Sequence, residues 1–270
     1  MNGNSTVRYH IIFAHPEPRS LGGFLRDSAV MALEGAGHQI VQSDLYAMGF
    51  KAVADHADLA AAPGERLVYH EASGRAFADG TLAPDIAAEQ AKLRAADVIV
   101  LQFPLWWFGM PAILKGWIDR VFCSGFAIGV PRADGHGWKR YGVGPLAGKR
   151  AMLAVTTGSK AEHMGPRGIH GPIADLLFPI NHGLLHYAGA TVIEPVLIHS
   201  AARMSPAQAD AAAKRYAERL LGIERAPVLA YRNEHDGGFE RGVMTDDATP
   251  GSGFGIHLPH AKGSAGEEPL

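Results

Sequence analysis

Short apolar runs alternate with stretches of helical period along most of this chain. That alternation constrains the fold more than any other feature. Residues 9–14 (YHIIFA) read as a first strand, 21–36 as a helix ending at Gly37, and 38–43 as a second strand. Residues 84–95 (PDIAAEQAKLRA) read as an amphipathic helix feeding the apolar run 97–103. A helix over 111–121, a strand over 151–155, a long apolar helix over 171–188, a strand over 191–198 and an alanine-rich helix over 206–221 follow. Residues 51–83 are polar and irregular, with no strong period. This order predicts an α/β fold: a doubly wound parallel sheet with helices on both faces and right-handed crossovers.

The sheet-forming pattern occupies residues 1–225, read as one domain. Residues 226–270 are rich in Gly, Pro and charge and have little period. They read either as a disordered tail or as a small irregular C-terminal arm packed on the main domain or on a second subunit. The 270 residues, 47% of them hydrophobic, suffice for one large domain plus such an appendage. A formal net charge of -2, with no basic run, gives no support for a nucleic-acid surface. Cys123 is the single cysteine, which excludes an intramolecular disulfide and reads as a small buried apolar residue. No apolar stretch approaches membrane-spanning length, and the start MNGNSTVRYH is not a signal peptide. A soluble cytoplasmic protein without membrane insertion is expected.

Ligands of open parallel sheets bind beyond the carboxyl ends of the strands. Three loops fall there: HPEPRSLGG at 15–23, PLWWFG at 104–109 and TTGSKAEHMGPRGIHG at 156–171. One ligand touching all three is the economical reading. In the first loop, Ser20 is placed to cap a helix whose leading N–H groups suit a phosphate, with His15 and Arg19 adding positive charge. Ser20 also reads as an ordinary cap, and His15 as structural. There is no GxGxxG or Walker pattern, which disfavours classical dinucleotide and P-loop sites. In the second loop, Trp106, Trp107 and Phe108 are costly to expose and awkward to bury; their faces and backbone N–H groups suit a flat heteroaromatic ring. Alternatively, Trp107 and Phe108 plug the seam between sheet and helix. In the third loop, Thr156, Thr157, Gly158 and Ser159 offer donors for ring carbonyls. An isoalloxazine has the required apolar face and acceptor edge. Reducing it puts negative charge near N1 and O2, which a protonatable imidazole at His170 stabilises. From its neighbours alone, His170 also reads as a polar residue at a helix start with no chemistry.

At these residues the chain resembles the NAD(P)H:quinone oxidoreductases of flavodoxin-like fold, the group of the DT-diaphorases and bacterial quinone reductases. The resemblance rests on AHPEPRS (14–20), SDLYAMGF (43–50), the long block 82–122, TTG (156–158), GIHG (168–171) and PINHGLLHYAG (179–189), and covers about 9–221. It implies an FAD-containing homodimer with the flavin at the subunit interface. It also implies a ping-pong reaction in which NAD(P)H reduces the flavin, leaves, and a quinone takes hydride in the same pocket. Carried over by position, His15, Ser20, Leu21 and Gly22 fall on the pyrophosphate side. Pro104, Leu105, Trp106, Trp107 and Phe108 fall on the isoalloxazine positions. Thr156, Thr157, Gly158 and Ser159 fall on the loop holding the ring's polar edge. His170 falls on the catalytic histidine, and Tyr187 on an aromatic of the substrate pocket.

The chain departs from the family in places. A tyrosine that precedes the catalytic histidine by six residues in the mammalian enzymes is here Met164, with His163 beside it as a possible substitute. Ile128 and Val130 stand where pocket tyrosines occur. Trp107, Phe108, Ile128, Val130, His163, Met164, His170 and Tyr187 are thus the expected substrate-side residues. The poor match of 51–83 on the adenine side keeps FMN as the alternative to FAD. His182 and His186 have the four-residue spacing of metal ligands. A relative pairs the corresponding residues with a cysteine around zinc; this chain has no cysteine in its C-terminal region, and no bound metal is expected. Reduction of nitro or azo compounds, and a regulatory flavoprotein subunit of a potassium-efflux system, are the competing functions.

Overall fold

In a computed structural model, residues 6–59, 66–236, 238–245 and 252–258 are described. Five strands form one parallel sheet: β1 (Arg8–Phe13), β2 (Gln39–Asp44), β3 (Val98–Pro104), β4 (Arg150–Thr156) and β5 (Thr191–Ile198), in the order β2-β1-β3-β4-β5. The helices are α1 (Leu21–Gly35), α2 (Tyr69–Asp79), α3 (Pro84–Ala95), α4 (Ala112–Val121), α5 (Ile173–Ile180) and α6 (Pro206–Leu221). β3 lies at the middle of the sheet and is buried along its whole length, as a strand covered on both faces must be.

Side chains alternate across the pleat and feed two cores. Tyr9, Ile11, Val98, Val100, Met152 and Ala154 join residues of α1 and α6. Ile12, Ile99, Leu101, Phe103, Leu153 and Val155 join residues of α3, α4 and α5. Capping follows the sequence: Ser20 accepts from the Gly23 N–H at 3.1 Å, and Ser205 with Gln208 closes a reciprocal capping box at the start of α6.

Two expectations are corrected. The stretch 51–83 is not without order: it contains the 3-10 turn His56–Asp58 and the helix α2. α2 escaped notice because its buried face is Ala72, Ser73 and Ala76, small residues that leave no apolar stripe. The expected long helix over 171–188 is broken. α5 carries Pro179 inside it and passes into a π-helical turn, Asn181–His186. Proline removes a backbone donor and crowds the preceding turn, and the ladder widens just after it.

Beyond α6 the chain returns to the sheet edge. Glu194 N–H donates to Pro227 O at 2.9 Å, Leu229 N–H donates to Val192 O at 2.8 Å, and Tyr231 enters the core. A short antiparallel pair, Phe239–Glu240 with Val243–Met244, and a 3-10 turn, Phe254–His257, follow. Among the described residues no helix is long and apolar enough to cross a membrane.

Candidate active site

The carboxyl ends of β1, β3 and β4 bring the three loops together. Two adjoining clefts result, of about 280 and 310 Å³. His15, Ser20, Leu21, Gly22, Pro104, Leu105, Trp106, Thr156, Thr157 and Gly158 line the first. Trp107, Phe108, Ser159, Met164 and His170 line the second, which shares Leu105, Thr157 and Gly158 with the first.

The middle loop is a two-residue hairpin. Trp106 and Gly109 exchange both backbone hydrogen bonds at 3.0 Å, and Trp107 and Phe108 between them have φ of 50° and 61°. Such a turn twists to suit its flanking strands but needs left-handed backbone at both central residues. Bulky side chains there carry strain of about 1–2 kcal/mol each. Trp107 gains almost no packing in return, being 98% exposed. The seam-plugging alternative is therefore ruled out for Trp107. Phe108 leans on His170, with ring centroids 5.3 Å apart.

The third loop is braced from below. Thr157 N–H donates to Ile198 O at 2.9 Å, Ala201 N–H to Thr157 O at 3.0 Å, and Ser200 N–H to Ser159 O at 2.9 Å. Further on, His170 N–H donates to His163 O at 3.0 Å. A Cβ on Gly168 would lie 2.2 Å from that same oxygen, so the loop closes this tightly only around glycine.

Some expected residues stand elsewhere. Arg19 is exposed and paired with Glu17 at 3.0 Å, away from the cleft. Met164 is buried on the cleft wall, while His163 is exposed behind His170, with ring centroids 6.0 Å apart. Ile128 and Val130 lie in the 124–139 loop, where their carbonyls accept from Gly125 and Lys139 at 2.8 Å. Tyr187 packs edge-on against Tyr141 at 5.1 Å. None of these three lines either cleft within one chain.

Three contributors were missed. Ala201 and Ala202 complete the first cleft from the end of β5, a fourth rim loop that the same rule about strand ends indicates. Gln102, buried in β3, donates to Gly22 O at 2.7 Å and accepts from Tyr216 OH at 3.1 Å. It pins the start of α1, and its signal was a polar residue inside an apolar strand.

The residues present fit a flavin. Neither cleft wall contains a carboxylate, lysine or arginine; His15 and His170 are the imidazoles that line them. The helix start offers donors that suit a phosphate: Ser20 satisfies the Gly23 N–H, and Leu21 and Gly22 keep theirs without an acceptor among the described residues. Space above Gly158 is open, with nothing within 4 Å of an added Cβ, so a planar group can approach the backbone there. Among the described residues no group of three His, Cys, Asp or Glu is arranged to hold a metal ion.

The model of a family described as having the flavodoxin-like fold matches residues 8–221. The rat NAD(P)H dehydrogenase (quinone) 1 is 35% identical over 94% of this chain and 93% of its own. The chain belongs to the NAD(P)H:quinone oxidoreductase family. A ribosyldihydronicotinamide dehydrogenase-like protein, traD, of Penicillium crustosum is 47% identical over 92% of this chain and 94% of its own. The solved structure of a candidate quinone reductase from Klebsiella pneumoniae superposes with a TM-score of 0.90 at 45% identity, covering 94% of this chain and all of that one.

Proposed function

We propose that this protein is a flavin-dependent NAD(P)H:quinone oxidoreductase that uses FAD. One observation carries the reading: the strained turn at Trp107 and Phe108, which sets two aromatic faces beside His170 over a cleft with free backbone donors. Strain of this kind is retained where function uses it. A flavin held in the trough would supply hydride transfer between a nicotinamide and a quinone.

The chain's own residues do the rest. The N–H groups of Leu21 and Gly22 neutralise the phosphate end. Leu105 and Trp106 wall the ring apart from water. Thr157, Gly158 and Ser159 present donors to its polar edge. His170 holds a proton where negative charge develops, stabilising the reduced state relative to the oxidised one. The uncharged wall suits a flat neutral acceptor. Ile128, Val130 and Tyr187 reach the substrate from a second subunit, which makes the working form a homodimer. Residues to about 225 are the flavin-binding unit in this reading, with the arm as an extension on it, and the site of action is the cytoplasm.

The relatives named ribosyldihydronicotinamide dehydrogenases, at 47% and 40% identity, favour a second reading of the reductant: a dihydronicotinamide riboside in place of NAD(P)H.

The test is anaerobic stopped-flow on protein with its released cofactor resolved as FAD or FMN. NADH, NADPH and the dihydro-riboside are each mixed with the oxidised protein, and a simple quinone is added afterwards. Bleaching near 450 nm by at least one reductant, reversed by quinone, is expected. A bound flavin that no reductant bleaches would overturn the enzymatic reading and leave a regulatory flavoprotein. In the same assay His170→Ala slows bleaching about 100-fold while flavin stays bound.

A further inference from the structure

The segment that follows β5 does more than complete the first cleft. Ala201–Arg203 is a 3-10 turn, closed by Arg203 N–H donating to Ser200 O at 2.8 Å. Ser200 before it has left-handed backbone, with φ of 53°. A residue other than glycine is strained there, and the strain goes with a reversal that lays the turn against the 157–159 loop.

Three successive carbonyls of that loop are engaged from this side. Thr157 O accepts from Ala201 N–H at 3.0 Å, Gly158 O from Arg203 Nη2 at 3.3 Å, and Ser159 O from Ser200 N–H at 2.9 Å. Backbone donors hold the first and the last. The middle one is held by a side chain, and it belongs to a glycine around which an added Cβ would meet nothing within 4 Å. Glycine rotates about its backbone bonds at little steric cost. The Gly158–Ser159 peptide is therefore the unit of this loop most able to turn over once its oxygen is released.

A trans peptide points its N–H opposite to its C=O, and the chain has no cis peptide among the described residues. β4 lies between β3 and β5 in the sheet. Carbonyls drawn toward the β5 side thus leave the N–H groups of Gly158 and Lys160 aimed toward the β3 side, whose loop walls both clefts. Neither N–H has an acceptor among the described residues. Ser159 N–H, on the peptide that Arg203 holds, donates to Thr157 Oγ1 at 3.2 Å. Arg203 itself is exposed and has no carboxylate partner among the described residues, so its guanidinium is not committed elsewhere.

We propose that Arg203 is a positioning residue for the cofactor. It holds the Gly158–Ser159 peptide with its oxygen turned out of the cleft, so that the loop meets the ring's edge with donors alone. The inference rests on the flavin reading of the clefts. Reduction brings negative charge to that edge, which donors stabilise and an inward carbonyl would oppose. Losing Arg203 then disfavours the reduced flavin relative to the oxidised one.

The experiment compares Arg203→Met and Arg203→Lys with the wild-type full chain by two measurements. The first is the midpoint potential of the bound flavin, by equilibration with a redox dye and without nicotinamide or quinone. Arg203→Met should shift the ratio of reduced to oxidised flavin about tenfold toward oxidised, a fall of about 30 mV for a two-electron couple. Arg203→Lys, which keeps a charged donor, should recover most of that fall. The second is amide hydrogen exchange at Ser159 in flavin-free protein, followed by NMR. Arg203→Met should speed it about tenfold, since turning the peptide breaks the bond to Thr157 Oγ1, with β3 and β4 unchanged. An unchanged potential in Arg203→Met would overturn the proposal. So would a lowered potential with unchanged exchange at Ser159, because the cation then acts by charge alone. A wild-type protein that takes up no flavin would overturn the functional reading instead, and exchange at Ser159 would still decide whether Arg203 holds the peptide.

Discussion

Trp107 and Phe108 show what single residues contribute at the rim of this sheet. Chain geometry alone favours glycine or asparagine at both central positions of such a turn. Trp107→Gly should therefore raise the stability of the flavin-free protein by about 0.5–1 kcal/mol, the relieved strain less the added freedom of the unfolded chain. The same change should lower flavin retention, read as the ratio of absorbance at 450 and 280 nm after dialysis. Retention equal to wild type would separate the indole from the cofactor. Gly168 is the complementary case. Gly168→Ala drives a methyl group into His163 O, displaces the His170 amide bonded to that oxygen, and should slow flavin reduction about tenfold without loss of fold, as followed by stopped-flow and circular dichroism. The aromatic run and the GIHG glycine were both visible in the sequence. The left-handed backbone at Trp107 was not, because nothing local in a Trp-Phe pair announces it.

Buried polar residues, as well as apolar ones, tie elements of this fold together. Arg120 of α4 donates to Lys51 O at 2.8 Å, to Asp58 at 2.8 Å and to Asp85 of α3 at 2.6 Å, while Tyr69 of α2 donates to Asp58 at 2.9 Å. The region between β2 and α3 thus owes its order to one guanidinium and one carboxylate far apart in sequence, and periodicity could not reveal it. Arg120→Ala leaves Asp58 buried and short of its main partner, and should cost about 3–5 kcal/mol in a denaturant titration. Gln102 does the same for the start of α1. Gln102→Leu leaves Tyr216 OH without its acceptor and takes from Gly22 O its donor from β3, with an expected cost of about 1–3 kcal/mol and weaker flavin retention. Gln102→Glu would test geometry against charge, since it restores an acceptor for Tyr216 only.

At the scale of the whole molecule, the positions of the five long strands and their parallel arrangement were legible because short strand-like runs alternate with stretches of helical period, while their spatial order in the sheet was not. Three of the four rim loops followed from that topology. The expected substrate-side residues Ile128, Val130 and Tyr187 did not gather at the same cleft: the first two lie in the 124–139 loop and Tyr187 packs on Tyr141. Acid stability is also set at this scale. His10 is fully buried in β1, donates to Ser43 Oγ at 2.9 Å, and is lowered from 6.5 to about 4 by burial, against the pull of Glu89. The unfolded chain binds that proton first, so stability present above pH 6.5 is lost as pH falls toward 4. The loss at pH 4 is on the order of 3 kcal/mol from this group. A denaturation midpoint that does not move between pH 7 and pH 4 would contradict a neutral His10 in the core.

The π-helical turn after Pro179 holds one residue more than an ordinary helical turn of the same height. Removing a single residue there, such as Gly183, would allow the backbone to close at the normal pitch. Everything after it would then swing by about 100° around the axis, the rotation one residue adds to a helix. Tyr187 and the entry to β5 would both face the wrong way. This segment should accept many exchanges of side chain and almost no change of length.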